Sequence, residues 1–111
     1  MQREDTRLQP RFPFAADIEV SDVQSGTQIR GRVKDLSLAG CGVNAATLFA
    51  KGTRVRIKLF HGGGYVPALG TVIYGRVELG MGIMFTTVEP EDQRILAGWI
   101  AELTSIPMAS D

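Results

Sequence analysis

The residues whose chemistry most needs explaining lie in two short stretches. In Arg7-Leu8-Gln9-Pro10-Arg11, two guanidinium groups stand four residues apart, the spacing of neighbours on a helix face. Pro10 lies between them. It disfavours helical backbone at Gln9 and donates no backbone hydrogen bond, so the pair belongs to an extended or turning segment, and something must hold two cations together there. In Asp35-Leu36-Ser37-Leu38-Ala39-Gly40, Asp35 and Ser37 alternate, which projects a carboxylate and a hydroxyl to one side of an extended chain. The carboxylate accepts hydrogen bonds and the hydroxyl both accepts and donates. Gly40 permits either a positive φ or a close backbone approach. A polar turn between strands would use the same residues, and the hexapeptide alone does not separate the two readings.

Other apparent motifs fail on their context. Gly40-Cys41-Gly42-Val43-Asn44-Ala45 matches the glycine spacing of a dinucleotide-binding loop, but that loop needs a parallel strand–helix–strand unit and a long helix after it. His61-Gly62-Gly63-Gly64 resembles an esterase oxyanion loop, yet no G-x-S-x-G nucleophile elbow accompanies it, and a hairpin loop is the reading adopted. His61 is the only histidine, which excludes a multi-histidine metal site, and nothing along the chain brings it to Ser37 and Asp35 as a triad. Cys41 is the only cysteine, so no intramolecular disulfide forms; its small apolar neighbours make it a buried hydrophobe. No residue reads as catalytic, so a non-enzyme without a metal or cofactor is expected.

The elements that must position these residues are mostly strands. The chain has 111 residues, 44% of them hydrophobic, and a formal net charge of zero, which predicts one domain with a real core. A neutral chain gives no reason to expect DNA as a partner. The polar N-terminus shows no signal peptide, and no apolar run approaches the ~18 residues of a membrane span; the expected compartment is a reducing cytoplasm. From Phe14 onward, Ala16, Ile18 and Val20 alternate with Asp17 and Glu19. Ile29, Gly31 and Val33 alternate with Arg30, Arg32 and Lys34, and Val55, Ile57 and Leu59 with Arg54, Arg56 and Lys58. The two basic rows read as solvated strand faces, because a nucleic-acid surface would interleave aromatics and none appears before Phe60. Residues 41–45 form a short strand or bend, and 68–77 and 81–88 are two more strands. Short strands with glycine-rich connections indicate an antiparallel sandwich or small barrel. The one clear helix begins near Pro90, with Glu91 and Asp92 in its first turn and Ile95, Leu96, Trp99, Ile100 and Leu103 on one face, which should pack on the sheet. Trp99 fits that stripe and reads as core.

Together the two stretches resemble the signature of PilZ domains, bacterial receptors for cyclic di-GMP (c-di-GMP). That family pairs an N-terminal R-x-x-x-R with a downstream [D/N]-x-S-x-x-G, matched in order by Arg7/Arg11 and by Asp35, Ser37 and Gly40. Pro10 before the second arginine, Phe12 after it, and Gly82-Ile83-Met84-Phe85 followed by the helix are also similar to the family. Arg3 and Arg7 satisfy the same arginine spacing, but the family places the second arginine immediately before the first strand, a condition Arg11 meets. The sequence does not say whether Arg3 contributes, and Thr6, at the position that influences ligand stoichiometry in the family, does not settle that stoichiometry.

The resemblance implies a mainly β fold: a six-stranded antiparallel barrel with a C-terminal α-helix over residues 14–105, a flexible segment 1–13 carrying the arginines, and a tail 106–111. It implies c-di-GMP as ligand, with Arg7, Arg11, Asp35, Ser37 and Gly40 as its binding residues. It also implies an effector protein from a motility, polysaccharide or virulence system that the sequence does not name. Arginine suits such a ligand through forked hydrogen bonds to phosphate or the guanine Hoogsteen edge and through stacking. Asp35 can accept from guanine N–H groups, Ser37 can bond a base or phosphate oxygen, and Gly40 can make room. Two other functions stay open at this stage: an adaptor of the same fold without nucleotide, and a small-barrel nucleic-acid binder using the basic strand faces.

Overall fold

The computed structural model describes residues 12–109, with side chains described through residue 103. Six strands run β1 (Phe12–Asp22), β2 (Gln28–Leu36), β3 (Gly40–Asn44), β4 (Arg54–His61), β5 (Gly64–Arg76) and β6 (Gly80–Thr87), and helix α1 (Pro90–Ala109) follows. The strands close into one barrel in the order β1-β2-β3-β6-β5-β4, every pair antiparallel. This is the six-stranded barrel with a C-terminal helix that the resemblance implied.

Strict alternation drives the closure. Phe14, Ala16, Ile18 and Val20 of β1 turn inward, as do Val55, Ile57 and Leu59 of β4 and Val66, Ala68 and Val72 of β5, and all are buried. A one-residue slip would send each set to solvent, so the hydrophobic pattern fixes the register. Outside, Arg30 Nη2 meets Glu19 Oε2 at 2.9 Å and Arg32 Nη1 meets Asp17 Oδ1 at 2.6 Å, joining β2 to β1. Such exposed pairs contribute at most about 1 kcal/mol each; they show the β2 basic row as a solvated face.

Three strands run longer than their alternation predicts. β1 begins at Phe12, β5 begins at Gly64 rather than at Ala68, and β2 continues past Lys34 through Asp35 to Leu36. Pro67 hid the second extension, since a proline argues against a central strand. Here it faces Lys58 of β4, while the β5–β6 ladder starts only at Leu69, so Pro67 has a strand neighbour on one side alone. The β4–β5 loop is the predicted glycine turn, with φ of 61° at Gly62 and 85° at Gly63, the positive values that tight hairpins need.

Helix α1 closes one end of the barrel, packing on β1 and β5. Leu96 is fully buried and Trp99 nearly so. The indole stacks on Phe14, with ring centroids 5.8 Å apart, and meets the edge of His61 at 5.1 Å. Ile100 and Leu103 pack at the margin of the core, but Ile95 is 42% exposed. The apolar stripe is therefore narrower than the spacing predicted, because the barrel end meets only the face centred on Leu96 and Trp99.

Candidate functional site

Asp35, Ser37 and Gly40 lie on the β2–β3 hairpin, and the structure brings them together. The turn residues Leu38 and Ala39 both have negative φ, although two-residue hairpins favour positive values. Other bonds hold this turn. Ser37 Oγ accepts the amides of Ala39 at 3.0 Å and Gly40 at 3.2 Å and donates to the Gly40 carbonyl at 3.3 Å. The Ser37 amide donates to that carbonyl at 2.9 Å, and the Phe85 amide of β6 donates to the Ala39 carbonyl at 2.8 Å. Ser37 is 2% exposed, and its hydroxyl is engaged inside its own turn. Gly40 does not use a positive φ; a Cβ on it would stand 2.1 Å from the Ile83 carbonyl oxygen, so it serves a close backbone approach to β6.

Asp35 belongs to a row that crosses the outer wall. Pro13 pairs with Asp35, Asp35 with Gly42, Gly42 with Gly82, and Gly82 with Tyr74. The Gly42 amide donates to Asp35 Oδ1 at 3.1 Å. A Cβ on Gly42 would come within 3.0 Å of that oxygen, and one on Gly82 within 2.2 Å of the Tyr74 ring. The missing side chains let the carboxylate and the phenol ring lie over bare backbone, with Asp35 on one side and Tyr74 on the other. Lys34 reaches across to donate to the Leu79 carbonyl, and Arg76 stands two residues beyond Tyr74 on β5. The wall therefore offers an acceptor, a flat ring and the Lys34 side chain around a glycine floor.

Arg7 and Arg11, with Arg3, lie outside the described residues. What the structure does fix is where they attach: Phe12, the first residue of β1, pairs with Leu36, so the chain joins the barrel beside the Asp35–Gly40 hairpin. Gly42, Gly82, Tyr74 and Lys34 were missed by sequence reasoning. Only strand register assembles them, and the local signals were Gly42, one residue past Gly40 and Cys41, and Gly82 at the head of Gly82–Phe85. Beside the hairpin tip, Leu38 borders a groove of about 600 Å³ that Phe85, Val88 and Arg94 also line.

The discarded motifs remain apart. His61 packs 4.6 Å from the Phe14 ring and near Trp99, with Glu102 4.0 Å from its Nε2, and no hydrogen bond joins it to Ser37. Cys41 is fully buried, as expected. Among the described residues no group of histidine, cysteine and carboxylate side chains could hold a metal, and no helix is long and apolar enough to cross a membrane.

The closed six-stranded barrel with its C-terminal helix defines the fold class, and solved structures with that fold superpose on it. The PilZ domain of YcgR from Escherichia coli, solved with c-di-GMP, is 19% identical with a TM-score of 0.69, covering 91% of this chain and 93% of that one. The PilZ domain of CeSA from a cellulose-synthesizing bacterium is 19% identical with a TM-score of 0.65, covering 80% and 96%. The inhibitor of motility MotI/DgrA of Bacillus subtilis is 17% identical with a TM-score of 0.63, covering 80% of this chain and 46% of that one. At these identities the likeness shows the fold. The sequence itself matches the family model of the PilZ domain over residues 3–102, and the chain belongs to that family. No curated protein matches it.

Proposed function

We propose that this PilZ domain is a receptor for c-di-GMP that transmits ligand binding to a partner protein through its N-terminal segment. The observation that carries the reading is the attachment of that segment. Arg11 is one peptide bond, about 3.8 Å between Cα atoms, from Phe12, whose partner Leu36 adjoins Asp35. An arginine side chain starting there can reach a ligand seated on the Asp35–Gly42–Gly82–Tyr74 wall. The family membership supports the same reading, as does the presence of both motif halves in order.

Each part of the wall then has a task. Asp35, steadied by the Gly42 amide, accepts from guanine N–H groups. Tyr74 offers a face on which a base can stack, an interaction of about 1–3 kcal/mol. Arg7 and Arg11 supply forked bonds to phosphate or to the guanine edge. Ser37 contributes by holding the hairpin, and Gly40 by letting it lie against β6. Ordering about five residues of the leading segment costs on the order of 5–10 kcal/mol. Several charge-assisted bonds at roughly 1.5–3 kcal/mol each, with stacking, offset that cost and leave micromolar binding, about −8 kcal/mol.

Adding c-di-GMP to the isotope-labelled chain tests the reading by NMR. Expected are shifts at residues 3–11, at Asp35 through Gly42, and at Gly82 and Tyr74, with none from GTP or single-stranded RNA at the same concentration. Unchanged resonances at saturating c-di-GMP would refute it.

A further inference from the structure

A second wall of the barrel carries features that the nucleotide reading does not use. β4 contributes no residue to the row that runs from Pro13 through Asp35, Gly42 and Gly82 to Tyr74. On β4, Arg54, Arg56 and Lys58 face outward in a row, about 6.8 Å from one to the next. Neither β4 nor β5 contains an aspartate or glutamate, and Arg54 and Arg56 make no ion pair among the described residues. Beside them, the outward positions of β5 are Tyr65, Pro67, Leu69, Thr71 and Ile73, where an exposed face would ordinarily be polar. Tyr65 is 49% exposed, Leu69 38% and Ile73 41%. Strand register seats Arg56 opposite Leu69 and Lys58 opposite Pro67, and Lys58 Nζ lies 5.4 Å from the centre of the Tyr65 ring.

We propose that the β4–β5 face is a docking surface for an acidic segment of a partner protein, one that alternates carboxylates with apolar side chains in extended form. An apolar ridge bordered by a basic row marks an interaction site rather than a solvated wall; beyond that row β1 sets Glu19 opposite Lys58, and Glu19 is already paired with Arg30. Arginine and tyrosine are the residues that most often anchor protein interfaces. An extended acidic peptide repeats its carboxylates at the same interval as the Arg54–Arg56–Lys58 row, while its other side chains meet Leu69 and Ile73. The two aromatics of this face, Phe60 and Tyr65, pack on each other at one end with ring centroids 5.8 Å apart, and Lys58 approaches the Tyr65 ring, so from Pro67 to Ile73 successive nucleic-acid bases find no aromatic ring to stack on. This inference does not rest on nucleotide binding.

The test titrates the intact chain, without nucleotide, with a short peptide in which glutamate alternates with leucine and valine. Parallel titrations use the same peptide with glutamine for glutamate, an oligothymidylate, and vesicles of phosphatidylglycerol. The expected result is binding by the glutamate peptide alone, weakening with salt, with NMR shifts at Arg54–Lys58 and Tyr65–Ile73. Arg54→Glu with Arg56→Glu, both exposed and so tolerated by the fold, should weaken it by at least roughly tenfold, as should Leu69→Asn. Both variants should keep the wild-type melting temperature and response to c-di-GMP. No binding, shifts elsewhere, or tighter binding of oligothymidylate or vesicles to this face would overturn the proposal. Failure of the c-di-GMP titration alone would leave it standing.

Discussion

Gly42 lies directly beneath the carboxylate of Asp35: its amide donates to Oδ1 at 3.1 Å, and a Cβ on it would stand 3.0 Å from the same oxygen. The glycine therefore both steadies the acceptor and leaves it room. Gly42→Ala is expected to displace the carboxylate by a few tenths of an ångström, lowering c-di-GMP affinity while leaving the melting temperature nearly unchanged. Calorimetry beside a thermal melt checks both halves.

Gly40→Ala should behave in the opposite way. Its Cβ would meet the Ile83 carbonyl, which is backbone and cannot swing aside. A loss of about 1–3 kcal/mol in stability is expected by denaturant unfolding, as for other overpacked sites. Its effect on ligand binding would follow from the loosened hairpin.

Ser37→Ala removes the hydroxyl that accepts the Ala39 and Gly40 amides. A buried donor left without its partner costs about 1–3 kcal/mol. The variant should therefore be less stable as well as weaker in binding. A stable Ser37→Ala protein that binds no ligand would show instead that the hydroxyl serves the ligand directly.

Asp22 gives the β1–β2 turn a pH dependence. The Gln24 amide, 2.8 Å from its carboxylate, and the Ser25 amide hold its pKa below the ordinary 3.8, although slight desolvation opposes them. A depressed folded-state pKa means that the contribution is present above pH 3.8 and is lost as pH falls through the lowered midpoint. An NMR titration should show Asp22 ionising below an ordinary aspartate. Asp22→Asn should remove the pH dependence of the Gln24 amide shift.

Much of this architecture was legible in local patterns, and the limits of that legibility are physical. Alternation at Ile18, Val20, Val55, Ile57 and Leu59 exposed the strands, because burial on one face leaves a period of two. The hexapeptide Asp35–Gly40 stood out because Asp35, Ser37 and Gly40 break the apolar alternation of the strands around them. That the Ser37 hydroxyl also holds the turn, through the Ala39 and Gly40 amides, is a consequence of backbone geometry that residue type does not reveal. The meeting of Gly42, Gly82 and Tyr74 depends on non-local register, with irregularities in the ladder at Val33/Asp35 and Val72/Tyr74. The same register sets Tyr65 opposite Phe60, at the end of the basic row, and brings its ring within 5.4 Å of the Lys58 ammonium.

The central claim is that guanidinium groups preceding β1 close on a nucleotide seated at the Asp35 wall. Isothermal titration of c-di-GMP into the wild-type chain and into Arg7→Ala, Arg11→Ala and Arg3→Ala tests it most directly. Micromolar binding by the wild type, its loss in Arg7→Ala and Arg11→Ala with unchanged melting temperatures, and a much smaller effect of Arg3→Ala are predicted. Wild-type affinity in Arg11→Ala, or no heat from the wild type, would contradict it.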